Sequence, residues 1–441
     1  MKQIITHTAS LMLFILFVYA GFGQANTSLS NLSSPTAANQ HLQPDANNKR
    51  NLGSASKSWR ILYLDSAIYL KDSLFIHRRG TNNTFVGENA GKATASASSN
   101  TAVGYNALFN DGSGGYNAAM GSYALYSNTM GTQNSAFGHR ALYFNKTGVY
   151  NIAFGAYTLY NNITGGSNIA IGVNALYKHK KANDNIAIGS ETLINDTSGF
   201  DNIAAGRASL YSISNGYQNT AVGSSSLFNM VSGYNNCAFG YHAGYYHKGS
   251  NNTFLGAYAN PGADITNSAA IGFGATVTAS NQVRIGNSSV TNIGGQNGWF
   301  TISDARVKKN IKDDVPGLLF INKLKPVTYN LSLDAFDDIT KPQPFKDAKG
   351  NVIAPTNEDV EARKAKEKIV YTGLLAQDVE KVAKETGYNF SGVDAAKNDQ
   401  DVYSICYSDF VMPLIKAVQE IGNNTKAPLY CFFSISGIPI I

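Results

Sequence analysis

Asn100 to Tyr116 read NTAVGYNALFNDGSGGY, and the residues on either side repeat that plan. Asn83, Asn100, Asn117, Asn134, Asn151, Asn168, Asn185, Asn202, Asn219 and Asn236 stand 17 residues apart. Four positions after each comes a glycine, from Gly87 and Gly104 to Gly240. Eight after, leucine recurs from Leu108 to Leu227, and nine after comes an aromatic in most units, among them Phe109, Tyr126, Tyr143, Tyr160 and Tyr177. Chance does not hold so many columns in one register. A helical pair needs about 30 residues or more per repeat, whereas 17 suffice for two short strands and two turns, so each unit reads as one coil of a β-solenoid. At about 4.8 Å per coil, ten repeats make a rod of roughly 50 Å.

Alternation puts positions +1 and +3 after the asparagine on one face, as with Thr101 and Val103 or Ile169 and Ile171. These larger residues are expected to fill the interior. The alanine at +2 then points outward, and its uniform smallness suggests close approach by another backbone. The asparagines should stack into an amide ladder, with the glycines where the turn needs positive φ or close packing.

The aromatic column has two readings: a stripe whose ring faces stack on saccharides, or a ladder that packs coil on coil. His139, His179, His242 and His247 are expected to occupy different register positions and to form no ligand set. Calcium-binding solenoids need an acidic turn in every coil, and seven acids between Asn82 and Phe300 are too few. A regular threonine array of the ice-binding kind is missing too, because the +1 column mixes Thr with Ala, Ser, Ile and Cys.

These columns explain the composition. Of 441 residues, 42 are Gly, 47 are Asn and only 15% are charged, against about 25% in ordinary domains. A net charge of +6, with no basic run interleaved with aromatics, speaks against a nucleic-acid surface. Cys237, Cys406 and Cys431 are too few and too scattered for a disulfide framework or a metal site and are expected to be buried small apolar residues. No metal or cofactor is expected.

The Asn-x-Ala-x-Gly-x-x-Ala signature, from Asn83 to Asn287, resembles the head repeats of YadA-like trimeric adhesins. The resemblance implies a left-handed β-roll with three chains around one axis. After Asn236 the period slips to 16 at Asn252 and 15 at Asn267, and AAIGFGATVTASNQVRIGN (269–287) looks like a closing neck. Upstream, NLGSASKSWRILYL (51–64), with Trp59 as an anchor, and AIYLKDSLFI (67–76) alternate like strands and are similar to segments of phage tail-fibre proteins. Met1-Lys2-Gln3, the apolar run from Leu11 to Ala20, and the small residues Gly21 and Gly23 read as a secretory signal peptide. The mature chain is thus expected to be secreted or at the cell surface, without a stable membrane anchor.

After Phe300 the register ends and 37 of the last 141 residues are charged. VYTGLL (370–375) reads as a strand, AQDVEKVAKET (376–386) as a helix and YSDFVMPLIKAVQEI (407–421) as a longer amphipathic helix. The charged stretch from Asp334 to Lys368, with Pro342, Pro344 and Pro355, reads as a loop or insertion. SDARVKKNI (303–311), GLLAQDVEKV (373–382) and YSDFVMPLIKAVQE (407–420) resemble, in order, motifs of the intramolecular chaperone of endosialidases, the peptidase S74 domain. That resemblance implies a small α/β domain that trimerises, assists registration of the fibre upstream and cuts itself off. It assigns Ser303 as nucleophile on the Ile302–Ser303 bond and Lys308 as general base, with Asp304 orienting the turn and Arg306, Lys309 and Lys312 disfavouring the lysine's charge. On spacing alone, Ser303-Asp304 capping a helix and KKNIK forming a solvated basic face is the simpler account.

The expected layout is mainly β: a signal peptide (1–23), a tail-fibre-like β segment (24–81), a trimeric left-handed β-solenoid of 17-residue repeats (82–266), a neck (267–300), the chaperone domain (301–425) and an apolar tail (426–441) with no heptads. The chain is read as a single-turnover serine autopeptidase at most, and the scattered acids offer no glycosidase pair. Its expected partners are two further copies of itself and a cell-surface glycan or receptor. The alternative is a glycan- or cell-binding solenoid whose chaperone domain is vestigial and does not cleave.

Overall fold

The computed structural model describes residues 64, 67–70, 73–94, 96–262, 264–296, 300–342, 344–345 and 351–425. Expectations for the signal segment, Trp59, Cys431 and the apolar tail fall outside these residues. Everything below lies in the compact unit that begins at Asp65.

One 15-stranded sheet runs the length of the repeats. It opens with an antiparallel hairpin, β1 (Ala67–Leu70) and β2 (Ser73–His77), and β2 pairs antiparallel with β3 (Thr84–Val86), the first coil strand. The hairpin covers what would be a bare sheet edge. From β3 onward each coil adds one three-residue parallel strand in strict register, so that Ile152, Ala153 and Phe154 face Ile169, Ala170 and Ile171. The result is a β-solenoid of about 12 turns. The coil continues beyond residue 266: Ala269–Ile271 and Val283–Ile285 extend the same sheet, so the segment expected to be a neck begins with coil. The second slip is also 16 residues, because Ser268, not Asn267, donates its backbone N–H to Asn252 Oδ1.

The strand faces are the reverse of the expectation. Ala102, Ala119, Ala136, Ala153, Ala170 and their successors are fully buried, while Ile152 is 43% and Phe154 58% exposed. The +2 alanine is small because the interior is narrow, and the larger +1 and +3 residues line the outer face. Two coils make the point: where +2 is Phe85 or Phe254, the residue it meets inside is Gly91 or Gly244, and a Cβ on Gly91 would lie 2.6 Å from the Phe85 ring. The interior is completed by the leucine column, each member at 0% exposure and in the left-handed region, as with Leu108 at φ +52°. That conformation costs a branched residue roughly 1–2 kcal/mol, which burial of a leucine, about 1.5–3 kcal/mol, offsets.

The glycine column meets both demands placed on it. Gly155 has φ +139°, and a Cβ there would stand 2.7 Å from Gly172 O of the next coil. The asparagine ladder also forms: Asn151 Nδ2 donates to Asn134 Oδ1 at 3.1 Å and to Gly165 O at 2.8 Å, while its Oδ1 accepts from Asn168 N at 3.1 Å.

The C-terminal region is small and mixed. Its helices are α1 (Leu318–Ile321), α2 (Leu333–Thr340), α3 (Asn357–Glu367), α4 (Ala376–Glu385) and α5 (Val411–Thr425). Val327–Tyr329 pairs antiparallel with Tyr371–Gly373, and Val393–Asp394 with Ser404–Ile405. Phe320, Val379, Ala383, Phe390 and Phe410 form its core. Helices α2 and α3 fall where a loop was expected. Ser332 caps the first; a capping box of Thr356 and Asp359 opens the second, and Pro342, Pro344 and Pro355 all lie outside both. The helix expected from Tyr407 starts as a 3-10 turn (Tyr407–Phe410), and α5 runs through Gly422. Cys237 is half-buried and Cys406 exposed, so neither is a core residue.

Candidate functional site

Beyond the last coil strand, the chain at Ile302 is 85% exposed. It then bends in a one-turn 3-10 helix, Ala305–Val307, because Asp304 supplies an N-cap: its carboxylate accepts Arg306 N at 2.9 Å and Arg306 Nε at 3.0 Å. Hydrogen bonds from the Arg306 side chain and backbone hold the Asp304 carboxyl below the usual carboxylate range. The turn brings Lys308 back toward Ser303, and Lys308 Nζ donates to Ser303 Oγ at 2.8 Å. Ser303, Lys308 and Lys309 are exposed. Asp304 therefore shapes the turn, and Arg306 is engaged by Asp304 at its guanidinium rather than standing over the lysine.

The distance suits proton exchange between the two side chains. A hydroxyl on the residue that follows a carbonyl is also held beside that carbonyl by covalent connection, which lowers the entropic cost of attack. What such a pair further needs is a neutral lysine, a state favoured by exclusion of water.

A second side-chain column, missed in the sequence, runs through the solenoid at position +11: Asp111, Asn128, Asn145, Asn162, His179 and Asp196, and later His247. His179 and His247 thus share a register position, contrary to the expectation. Asn145 Nδ2 donates to Asn128 Oδ1 at 2.9 Å, and Asn162 Nδ2 to Asn145 Oδ1 at 2.8 Å. His179 contacts Asp196 Oδ2 through Nδ1 and Ala182 O through Nε2, both at 2.8 Å, in full burial. Burial raises the Asp196 carboxyl although His179 opposes it. His247 is lowered by burial to about 4. These groups are interior rungs. Among the described residues, no three His, Cys, Asp or Glu side chains come together as metal ligands, and no helix is long and apolar enough to cross a membrane.

The aromatic column is a ladder. Ring centroids of Tyr126–Tyr143, Tyr143–Tyr160 and Tyr160–Tyr177 lie 5.1, 5.3 and 5.2 Å apart, and all three pairs are stacked. Each ring covers its neighbour's face, so the column turns edges rather than faces to solvent.

Residues 303–388 match the family described as the chaperone of endosialidase, Peptidase S74. The match begins on Ser303 and ends before the third resembling motif at Tyr407. No curated protein matches the chain. Residues 303–388 are thus a chaperone-of-endosialidase domain, carried in one chain with a β-solenoid.

Proposed function

We propose that the chain is a subunit of a secreted homotrimeric fibre, of the tail-fibre or adhesin kind, whose C-terminal domain promotes assembly and then cuts the Ile302–Ser303 bond once. The observation that carries this reading is the 2.8 Å approach of Lys308 Nζ to Ser303 Oγ at the first residue of the matched domain. Neutral Lys308 takes the Ser303 hydroxyl proton as Oγ attacks the Ile302 carbonyl carbon. The carbon–nitrogen bond breaks, and the Ser303 nitrogen takes the proton back from Lys308. Water then hydrolyses the Ile302 ester, leaving a carboxylate on Ile302 and a free amine and hydroxyl on Ser303. One molecule acts once on itself.

Two outward surfaces support assembly. Along the outer strand face of the solenoid, Ile152, Phe154, Ile171, Ile188, Phe239 and Leu255 are exposed, with half-buried Ala205 and Val222 between Ile188 and Phe239, and clustered exposed apolar side chains mark interaction surfaces. On α5, Val411, Leu414, Ile415, Val418 and Ile421 are likewise exposed. Three copies around one axis would cover both surfaces and exclude water from the dyad. The second reading, a glycan- or cell-binding rod with a non-cleaving domain, draws on the exposure of the dyad in the single chain; its ligand would meet tyrosine edges.

Mass and oligomeric state of the purified chain test the proposal. The expected result is a trimer with a fragment beginning at Ser303, and Ser303→Ala and Lys308→Ala proteins that stay whole. A trimer that never splits removes the autopeptidase, and a monomer that splits removes the link to assembly.

A further inference from the structure

The C-terminal domain touches the solenoid end at two places, both remote in sequence from the Ile302–Ser303 bond. At the first, Asp401 is 5% exposed and its carboxylate accepts Thr278 Oγ1 at 2.7 Å and Gln282 Nε2 at 3.4 Å. Arg284 lies 3.9 Å away, and Asn398 Nδ2 donates to Thr278 O at 2.9 Å. Gln282 is the last rung of the buried ladder: its N–H donates to Ser268 Oγ, whose own N–H donates to Asn252 Oδ1. The carboxylate therefore takes over where the ladder runs out of copies. At the second place, the Phe345 ring packs on Tyr258 and Phe273 at 4.5 and 5.1 Å, and Lys366 Nζ donates to Val290 O at 2.7 Å.

Every solenoid partner in these contacts precedes residue 291, and every domain partner follows residue 344. A break after the exposed Gly295 or at the exposed Ile302–Ser303 bond leaves all of these contacts in place. We propose that the domain is the end cap of the solenoid, bound to the last coils by its own interface, so that a chain cut at either point stays a two-piece complex. For the cut at Ile302–Ser303 this rests on the self-cleavage proposed above; the docking itself does not. Burial works to raise the Asp401 carboxyl, yet hydrogen bonds from Thr278, Lys397, Val402 and Gln282 outweigh it and hold the group below the usual carboxylate range. Its charge on the last rung thus persists in mildly acidic solution.

The test uses the full chain carrying Ser303→Ala, to silence any cut of its own, with a protease recognition sequence inserted after Gly295. After digestion, native size-exclusion should return both pieces in one peak at the mass of the uncut protein, with two bands on a denaturing gel. Asp401→Ala combined with Phe345→Ala should weaken the cut complex tenfold or more, and Thr278→Val, changed on the solenoid side, should weaken it in the same direction with the C-terminal domain unaltered. Pieces that part at micromolar concentration, or a cut complex indifferent to all three substitutions, would overturn the cap. A parent chain that fails to split at Ser303 removes only the autopeptidase.

Discussion

The solenoid and the C-terminal domain bury polar groups by opposite means. Asn151 lies in full burial, yet its amide is met by the same residue one coil before and one coil after. In the C-terminal domain no residue has such copies, and the core is Phe320, Val379, Phe390 and Phe410, with the Ser303–Lys308 pair left at the surface. A stack supplies every buried donor with an acceptor by repetition. An aperiodic segment must provide each partner separately, which is also what lets it hold a distinctive pair of side chains.

The contrast can be broken first at its glycines. Gly155→Ala would combine a forbidden φ with a 2.7 Å collision against the next coil, so a loss of about 3 kcal/mol or more is expected. Gly387 has φ +63° with nothing within 4 Å of a Cβ, and Gly387→Ala should cost about 1 kcal/mol. Equal losses in urea denaturation would erase the distinction between stacked and isolated glycines.

Asp111 sharpens the contrast, since it holds a position that the next three coils give to asparagine. Burial raises its carboxyl to about 7, against the lowering effect of donors from Asn128 and Gly114. The folded chain therefore binds this proton more tightly than the unfolded chain. Its contribution to stability is full below about pH 4 and fades as pH rises through about 7. Asp111→Asn should remove that slope, gaining about 2 kcal/mol or more at pH 8 and little at pH 4, as read from melts of both proteins across the range. A parallel pair of pH profiles would mean that the rung does not titrate.

The smallest effect belongs to the other region. Thr356→Ala deletes one capping box and should cost about 1 kcal/mol, confined to amide exchange in α3 with the solenoid unmoved.

What can be read in the sequence follows the same division. The Asn, Gly and aromatic columns are plain because the fold repeats them. Inside and outside are exchanged because a three-residue strand alternates equally well either way, and side-chain size alone points to the wrong face. The better guide is the exchange of bulk between Phe85 and Gly91 and between Phe254 and Gly244, visible in the sequence once the columns are aligned. The prolines around α2 and α3 speak louder than the caps, although Ser332 and the Thr356/Asp359 box are present. The spacing of Ser303 and Lys308 is legible; the capture of Arg306 by Asp304 is not, since it depends on the turn between them. Asp401 carries no signal at all, its partner Thr278 lying 123 residues away.

The asparagine ladder has a direction. In each step the carbonyl oxygen belongs to the earlier coil, and the N–H groups that meet it belong to the later one, as Asn134 Oδ1 receives Asn151 and Asn151 Oδ1 receives Asn168. A completed coil is therefore a template that presents acceptors to the next stretch of chain. Synthesis from the N-terminus delivers donors to that template in the order it needs them, starting from the hairpin Ala67–His77, so growth of the rod can keep pace with the chain's emergence.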